Sequence, residues 1–101
     1  MSTYNMSIDN GVLKVGFGTP AQNDEIIKDA TKRLNDLINN GEITGGEVIR
    51  INGAASLPVA MAVGHKLAHL FQCVACWDPK LSKYVVAITH GPKYQVGQLL
   101  D

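Results

Sequence analysis

The sequence predicts a small single-domain α/β fold with a Rossmann-like sheet in the order β-β-α-β-α-β-β-β. Three observations carry this. Two stretches, near 26–38 and 57–71, place apolar residues at helical spacing. Short apolar runs bounded by turn residues flank both. The run 47–78 reads strand, helix, strand, which calls for parallel pairing and a right-handed crossover. A ferredoxin-like α+β arrangement is the alternative.

The elements follow in order. Residues 4–17 read as a hairpin, because Asn10-Gly11 is the type I′ turn signal between MSID and VLKVGF. Thr19-Pro20-Ala21-Gln22 reads as a helix start, with Thr19 as cap and Pro20 at the first helical position. Ile26, Ile27, Ala30, Leu34, Leu37 and Ile38 form one apolar face, and Gly41 marks the end. Residues 47–53 form a short buried strand, and the loop GAAS follows. Ser56 caps the next helix, which tolerates Pro58 in its first turn. Then come strand 72–78, the turn DPKLSK, the strand YVVAIT and a last strand within 94–100.

The chain has 101 residues, enough for one domain, 1–101. With 46% hydrophobic and 18% charged residues it is globular. Nine basic residues balance nine acidic ones, which argues against a generic polyanion binder. The balance is uneven along the chain. Residues 1–50 hold five basic and seven acidic residues, and residues 51–101 hold four and two. All three histidines lie in the second half, where an anion site is expected. No apolar run reaches the roughly 18 residues of a membrane span, and the N-terminus lacks a signal-peptide pattern. Cys73 and Cys76 are three apart on a strand, so they point to opposite faces and read as packed, reduced thiols of a cytoplasmic protein.

Three segments hold candidate chemistry. The loop residues Gly53, Ala54, Ala55 and Ser56 lie between a strand and a helix N-terminus, whose free N–H groups and positive dipole end suit a phosphate. A tight turn of small residues explains them equally well. His65 and His69 are four apart on one helix face. Zinc hydrolases with this spacing carry Glu after the first histidine, and here that position is Lys66. The pair is either structural or supplies a general acid/base. Asp78 and Lys80 stand in a turn beside the loop, as plain turn formers or as an acid and a cation next to a phosphate. His69 lies at the far end of the sheet from Asp78, on the order of 15–20 Å away at roughly 3.3 Å per residue. Both act on one bond only if two molecules meet head to tail.

At these residues the chain resembles a known family. GAASLPVAMAVGHKLAHLFQCVACWDPKLSKYVVAITHGPKYQVG, residues 53–97, resembles the third family of CRISPR-associated ring nucleases. The ordered set HKLAH, WDPKL, YVVAI and HGPKY carries the likeness. The resemblance implies a small Rossmann-like protein of type III CRISPR systems that cleaves the second messenger cyclic tetra-adenylate and switches antiviral signalling off. It also implies an association with Mn²⁺-dependent exonuclease action on linear RNA 3′ ends. The ring would be held between dimers stacked head to tail, as a tetramer or filament, with neither DNA nor membrane as partner. The resemblance makes His69 and Asp78 the catalytic positions. Lys80 stands where the family often has arginine, and it keeps charge but loses the bidentate fork. On this basis Gly53–Ser56 and Lys80 hold phosphate, Asp78 orients a hydroxyl or a metal ion, and His69 moves a proton. His65 and His90 support. A binding protein without turnover, a sponge for the messenger, is the alternative.

Overall fold

In the computed structural model, which describes residues 2–101, Asn10 and Gly11 take φ of 51° and 76°. These are the positive angles a type I′ turn requires. They close β1 (Tyr4–Asp9) onto β2 (Val12–Phe17), with Asp9 opposite Val12 and Tyr4 opposite Phe17. The remaining elements are α1 (Asn23–Asn39), β3 (Gly46–Gly53), α2 (Leu57–Ala68), β4 (Phe71–Asp78), β5 (Lys83–Thr89) and β6 (Leu99–Leu100).

The six strands lie in chain order in one sheet. The central pairs β2–β3 and β3–β4 are parallel, and the outer pairs are antiparallel. Two successive strand–helix–strand units therefore share β3, one more than the 47–78 unit read from the sequence. A ferredoxin-like sheet interleaves antiparallel strands, so the central parallel trio departs from that alternative. The architecture is the predicted small α/β domain.

Successive crossovers of one hand put both helices on the same sheet face. Ile26, Ala30, Leu34 and Leu37 of α1 and Val59, Val63 and Leu67 of α2 are buried there with Leu13, Ile49 and Val74. The opposite face carries a smaller cluster, Cys73, Ala75 and Val86, partly covered by Tyr84, Tyr94 and Leu100. Cys73 thus packs on one face, and Cys76 faces the helices' side, exposed. Burial pushes both thiols above their ordinary value, which keeps them protonated. No helix among the described residues is long and apolar enough to cross a membrane.

Three boundaries differ from the sequence reading. Helix α1 is capped by Gln22, not Thr19. The N–H groups of Gly18 and Thr19 instead donate to the carbonyls of Thr3 and Ser2, which prolongs the hairpin past the expected cap. Helix α2 ends at Ala68, because the N–H groups of His69 and Leu70 fold into a tight last turn and Phe71 already pairs with Gly46. Strand β6 shrinks to two residues. A turn closed by the Gln98 N–H on the Gln95 carbonyl, with Gly97 at φ +91°, takes up the preceding residues.

The N-terminal strand is tethered to α1. Both the N–H and the hydroxyl of Thr3 donate to one Asp29 carboxylate oxygen, at 3.0 and 2.6 Å. These bonds, the hydroxyl's first, hold the Asp29 carboxyl below its ordinary value near 3.8. A depressed carboxyl stabilises the fold above its unfolded value, and that contribution is lost as pH falls through the folded value. Asp29→Ala should lower the thermal midpoint at pH 7, although alanine is the better helix former. The gap to wild type should close below pH 4, as read by thermal melts across pH.

Candidate functional site

Strand β3 ends on Gly53 at φ +142°. A Cβ there would sit 1.8 Å from the Val15 carbonyl oxygen of the neighbouring parallel strand, so no other residue fits. The next residue uses the same oxygen: the Ala54 N–H donates to Val15 O at 3.3 Å. From the other side the Tyr4 hydroxyl donates to the Ala54 carbonyl at 2.6 Å. The tyrosine is fully buried, and desolvation pushes its phenol up to about 12. Two strands thus pin the loop that leads into α2.

Ser56 is the N-cap of α2 in extended geometry, as expected, but its hydroxyl makes no capping bond. Its Oγ is buried without a partner among the described residues. No acidic residue occupies the first turn of α2, so the positive dipole end there is left uncompensated.

The register brings Asp78 to the same end. Ile51 pairs with Cys76 in the parallel β3–β4 ladder, so Gly53 and Asp78, each two residues on, lie level. Asp78 Oδ1 accepts the N–H groups of Lys80 and Leu81 at 2.9 and 3.2 Å. This is an Asx turn, and it fixes the Lys80 backbone. The turn formers and the candidate site are therefore the same residues. Oδ2 is not used by the turn.

The histidines lie at the opposite end. His65 and His69 are exposed, with Nε2 atoms 3.3 Å apart and rings crossed at 78°. His69 is the C-cap of α2. His90 joins this end, because its N–H donates to the carbonyl of Gln72 at the start of β4. The eight residues of β4 separate this end from Asp78. That is on the order of 20 Å at roughly 3.3 Å per residue. One protomer therefore groups Gly53, Ala54, Ala55, Ser56, Asp78 and Lys80, and separately groups His65, His69 and His90.

Between the ends, a groove of about 580 Å³ runs along α2 from Gly53 and Ala55 to His65 and Ala68. Val15, Ile51, Val59, Cys76 and Ile88 line it, so it does not suit a phosphate. Among the described residues no three His, Cys, Asp or Glu side chains converge. Asp78 Oδ2, which the turn does not use, is a hard oxygen donor of the kind Mn²⁺ takes.

Residues 21–101 match the family model described as CRISPR-associated protein (Cas_csx3). The chain belongs to this family. No curated protein and no solved structure matches. The matched span holds every candidate residue, so each of them stands within the CRISPR-associated part of the chain. Tyr4 and Val15 lie before it. The sequence reading missed both, because the Tyr4–Ala54 bond joins residues 50 apart and no local pattern marks it.

Two outcomes are expected. Gly53→Ala should destabilise the fold by about 3 kcal/mol or more, from combined clash and backbone strain, in urea unfolding. Tyr4→Phe should cost about 0.5–1.5 kcal/mol at pH 8 through the lost bond to Ala54. Because the folded phenol is raised to about 12, the wild-type advantage should be full below pH 10. It should shrink as pH rises from 10 to 12.

Proposed function

We propose that this CRISPR-associated protein is a ring nuclease that binds and cleaves cyclic tetra-adenylate in the cytoplasm. The supporting observation is the split of the candidate residues. An anion-suited loop with Asp78 and Lys80 stands at one end of the protomer, and a hydrogen-bonded imidazole pair stands at the other. Within one protomer the two ends lie too far apart to act on the same phosphodiester. Two protomers stacked head to tail would put one end against the other around a single ligand. A ring of four phosphates needs few cations per chain, which agrees with a neutral protein.

In this reading, the loop N–H groups from Gly53 to Ser56 and the Lys80 ammonium hold the scissile phosphate. Asp78 Oδ2 accepts a hydrogen bond from a ribose hydroxyl and so orients it. The 2′-oxygen attacks the adjacent phosphorus as the bond to the 5′-oxygen breaks, leaving a 2′,3′-cyclic phosphate and a 5′-hydroxyl. His69 of the opposing protomer takes the 2′-hydroxyl proton. His65, hydrogen-bonded to it, relays a proton to the departing 5′-oxygen. His90 lines this end. Mn²⁺, when bound by Asp78 and phosphate oxygens, would supply charge neutralisation.

His69→Ala and Asp78→Asn should each slow cleavage of cyclic tetra-adenylate by about a hundredfold or more. Asparagine keeps the oxygen that the turn needs, so its effect reports chemistry rather than folding. Mixing the two variants should restore part of the activity, because a contact that sets the Asp78 end of the His69 variant against the His69 end of the Asp78 variant has both residues intact. Near-normal rates in both variants would overturn the assignment. Tight binding without turnover, with Mn²⁺ or with chelator, would make the protein a sponge. Faster action on linear polyadenylate would make it a 3′ exoribonuclease.

A further inference from the structure

The sheet has two free edges, and they are unequal. One is β6, two residues long, and the other is β1, six residues long. A very short edge strand offers little to pair with, but a longer one presents a row of open N–H and C=O groups to any second strand. Which groups these are follows from the turn. In a two-residue hairpin the residues that flank the turn exchange both hydrogen bonds, and such pairs then alternate along the ladder. Asp9–Val12, Ser7–Lys14 and Asn5–Gly16 are therefore the bonded pairs. The Gly18 N–H on the Thr3 carbonyl continues the same phase. The main-chain groups of Tyr4, Met6 and Ile8 point the other way, out of the sheet edge.

The strand itself lacks the usual edge protection. YNMSID has no proline and no lysine, and its one charged side chain, Asp9, stands at the turn beside Lys14. Two side chains from outside the strand meet its open groups instead. The Ser2 hydroxyl donates to the Tyr4 carbonyl at 2.7 Å and accepts the Tyr4 N–H at 3.3 Å. Arg33 reaches over from α1, next to the buried Leu34, and its Nε donates to the Met6 carbonyl at 3.1 Å. Both outward groups of Tyr4 and the carbonyl of Met6 are thereby taken, and a guanidinium stands at the middle of the edge. An incoming strand would have to displace both side chains and bury its own polar groups against the cation.

We infer that Ser2 and Arg33 guard the free edge of β1 against strand addition by a second copy of this chain. A second copy is the partner this edge fits, because antiparallel pairing of β1 with itself closes on a two-fold axis. Centred on Met6, such a pairing sets Tyr4 of each molecule opposite Ile8 of the other, so that the outward groups of the two strands meet. It would also bring the two Arg33 guanidiniums together, and like charges there oppose it. The inference concerns β1 alone and does not rest on ring cleavage.

Removing the guard should open the edge. Ser2→Ala combined with Arg33→Ala should self-associate at a protein concentration about tenfold or more below that of wild type, read by light scattering over a dilution series. Alanine keeps α1 helical. As concentration rises, amide hydrogen exchange should show Met6 and Ile8 becoming protected in the variant and not in wild type. Ser2→Ala alone should shift association about two- to fivefold. Ser2 is exposed and outside the core, so this variant tests the guard even where the double variant folds poorly. A folded variant that associates no more readily than wild type would overturn the inference, as would association without protection of Met6 and Ile8. Stacking through the sheet ends, as in the proposed function, leaves these amides unprotected, so the two readings fail separately.

Discussion

Gly53 lies under the carbonyl oxygen of Val15, in a space too small for a single methyl group. That close approach fixes where β3 must stop pairing with β2, and the Ala54 N–H then closes on the same oxygen. Helix α2 can start only from the loop so placed. Its first turn, the groove along its side and the positions of His65 and His69 at its other end all follow from that start. Tyr4 completes the constraint, because its buried hydroxyl holds the Ala54 carbonyl from β1. The hairpin outside the matched family segment thus supports the loop inside it.

The same parallel geometry separates the chemistry. Parallel strands put every β-to-α loop at one end of the sheet and every helix C-terminus at the other. Phosphate-suited backbone and Asp78 therefore gather at one end, and three imidazoles gather at the other. The proposed function makes use of that: the helix N-terminus of one molecule meets the histidines of the next.

Much of the fold was legible because it rests on local rules. Asn10-Gly11 fixed the hairpin through its positive φ angles. The spacing of Ile26, Ala30, Leu34 and Leu37 fixed α1, and the cysteine spacing fixed opposite faces for Cys73 and Cys76. Failures came where a distant group won over a local one. Thr19 has the composition of a cap, but its N–H is taken by Ser2, so the helix waits for Gln22. Residues 94–98 carry strand-like side chains, but the Gln95 N–H donates to the Gln98 side-chain oxygen and the segment bends into a turn.

For the site, the sequence by itself determined which residue types are present and, through the parallel unit, which end of the sheet each would occupy. Tertiary structure decided the rest. It showed that Asp78 uses one oxygen in its own turn, that the Ser56 hydroxyl has no partner among the described residues, and that the His65 and His69 imidazoles lie within hydrogen-bond distance. It also brought Ser2 and Arg33, from the chain start and from α1, onto the open groups of β1. Spacing along a helix or strand is a property of the local backbone and can be read from one segment. Convergence across elements depends on register and on the reach of side chains such as Arg33, which exist only once the sheet has formed.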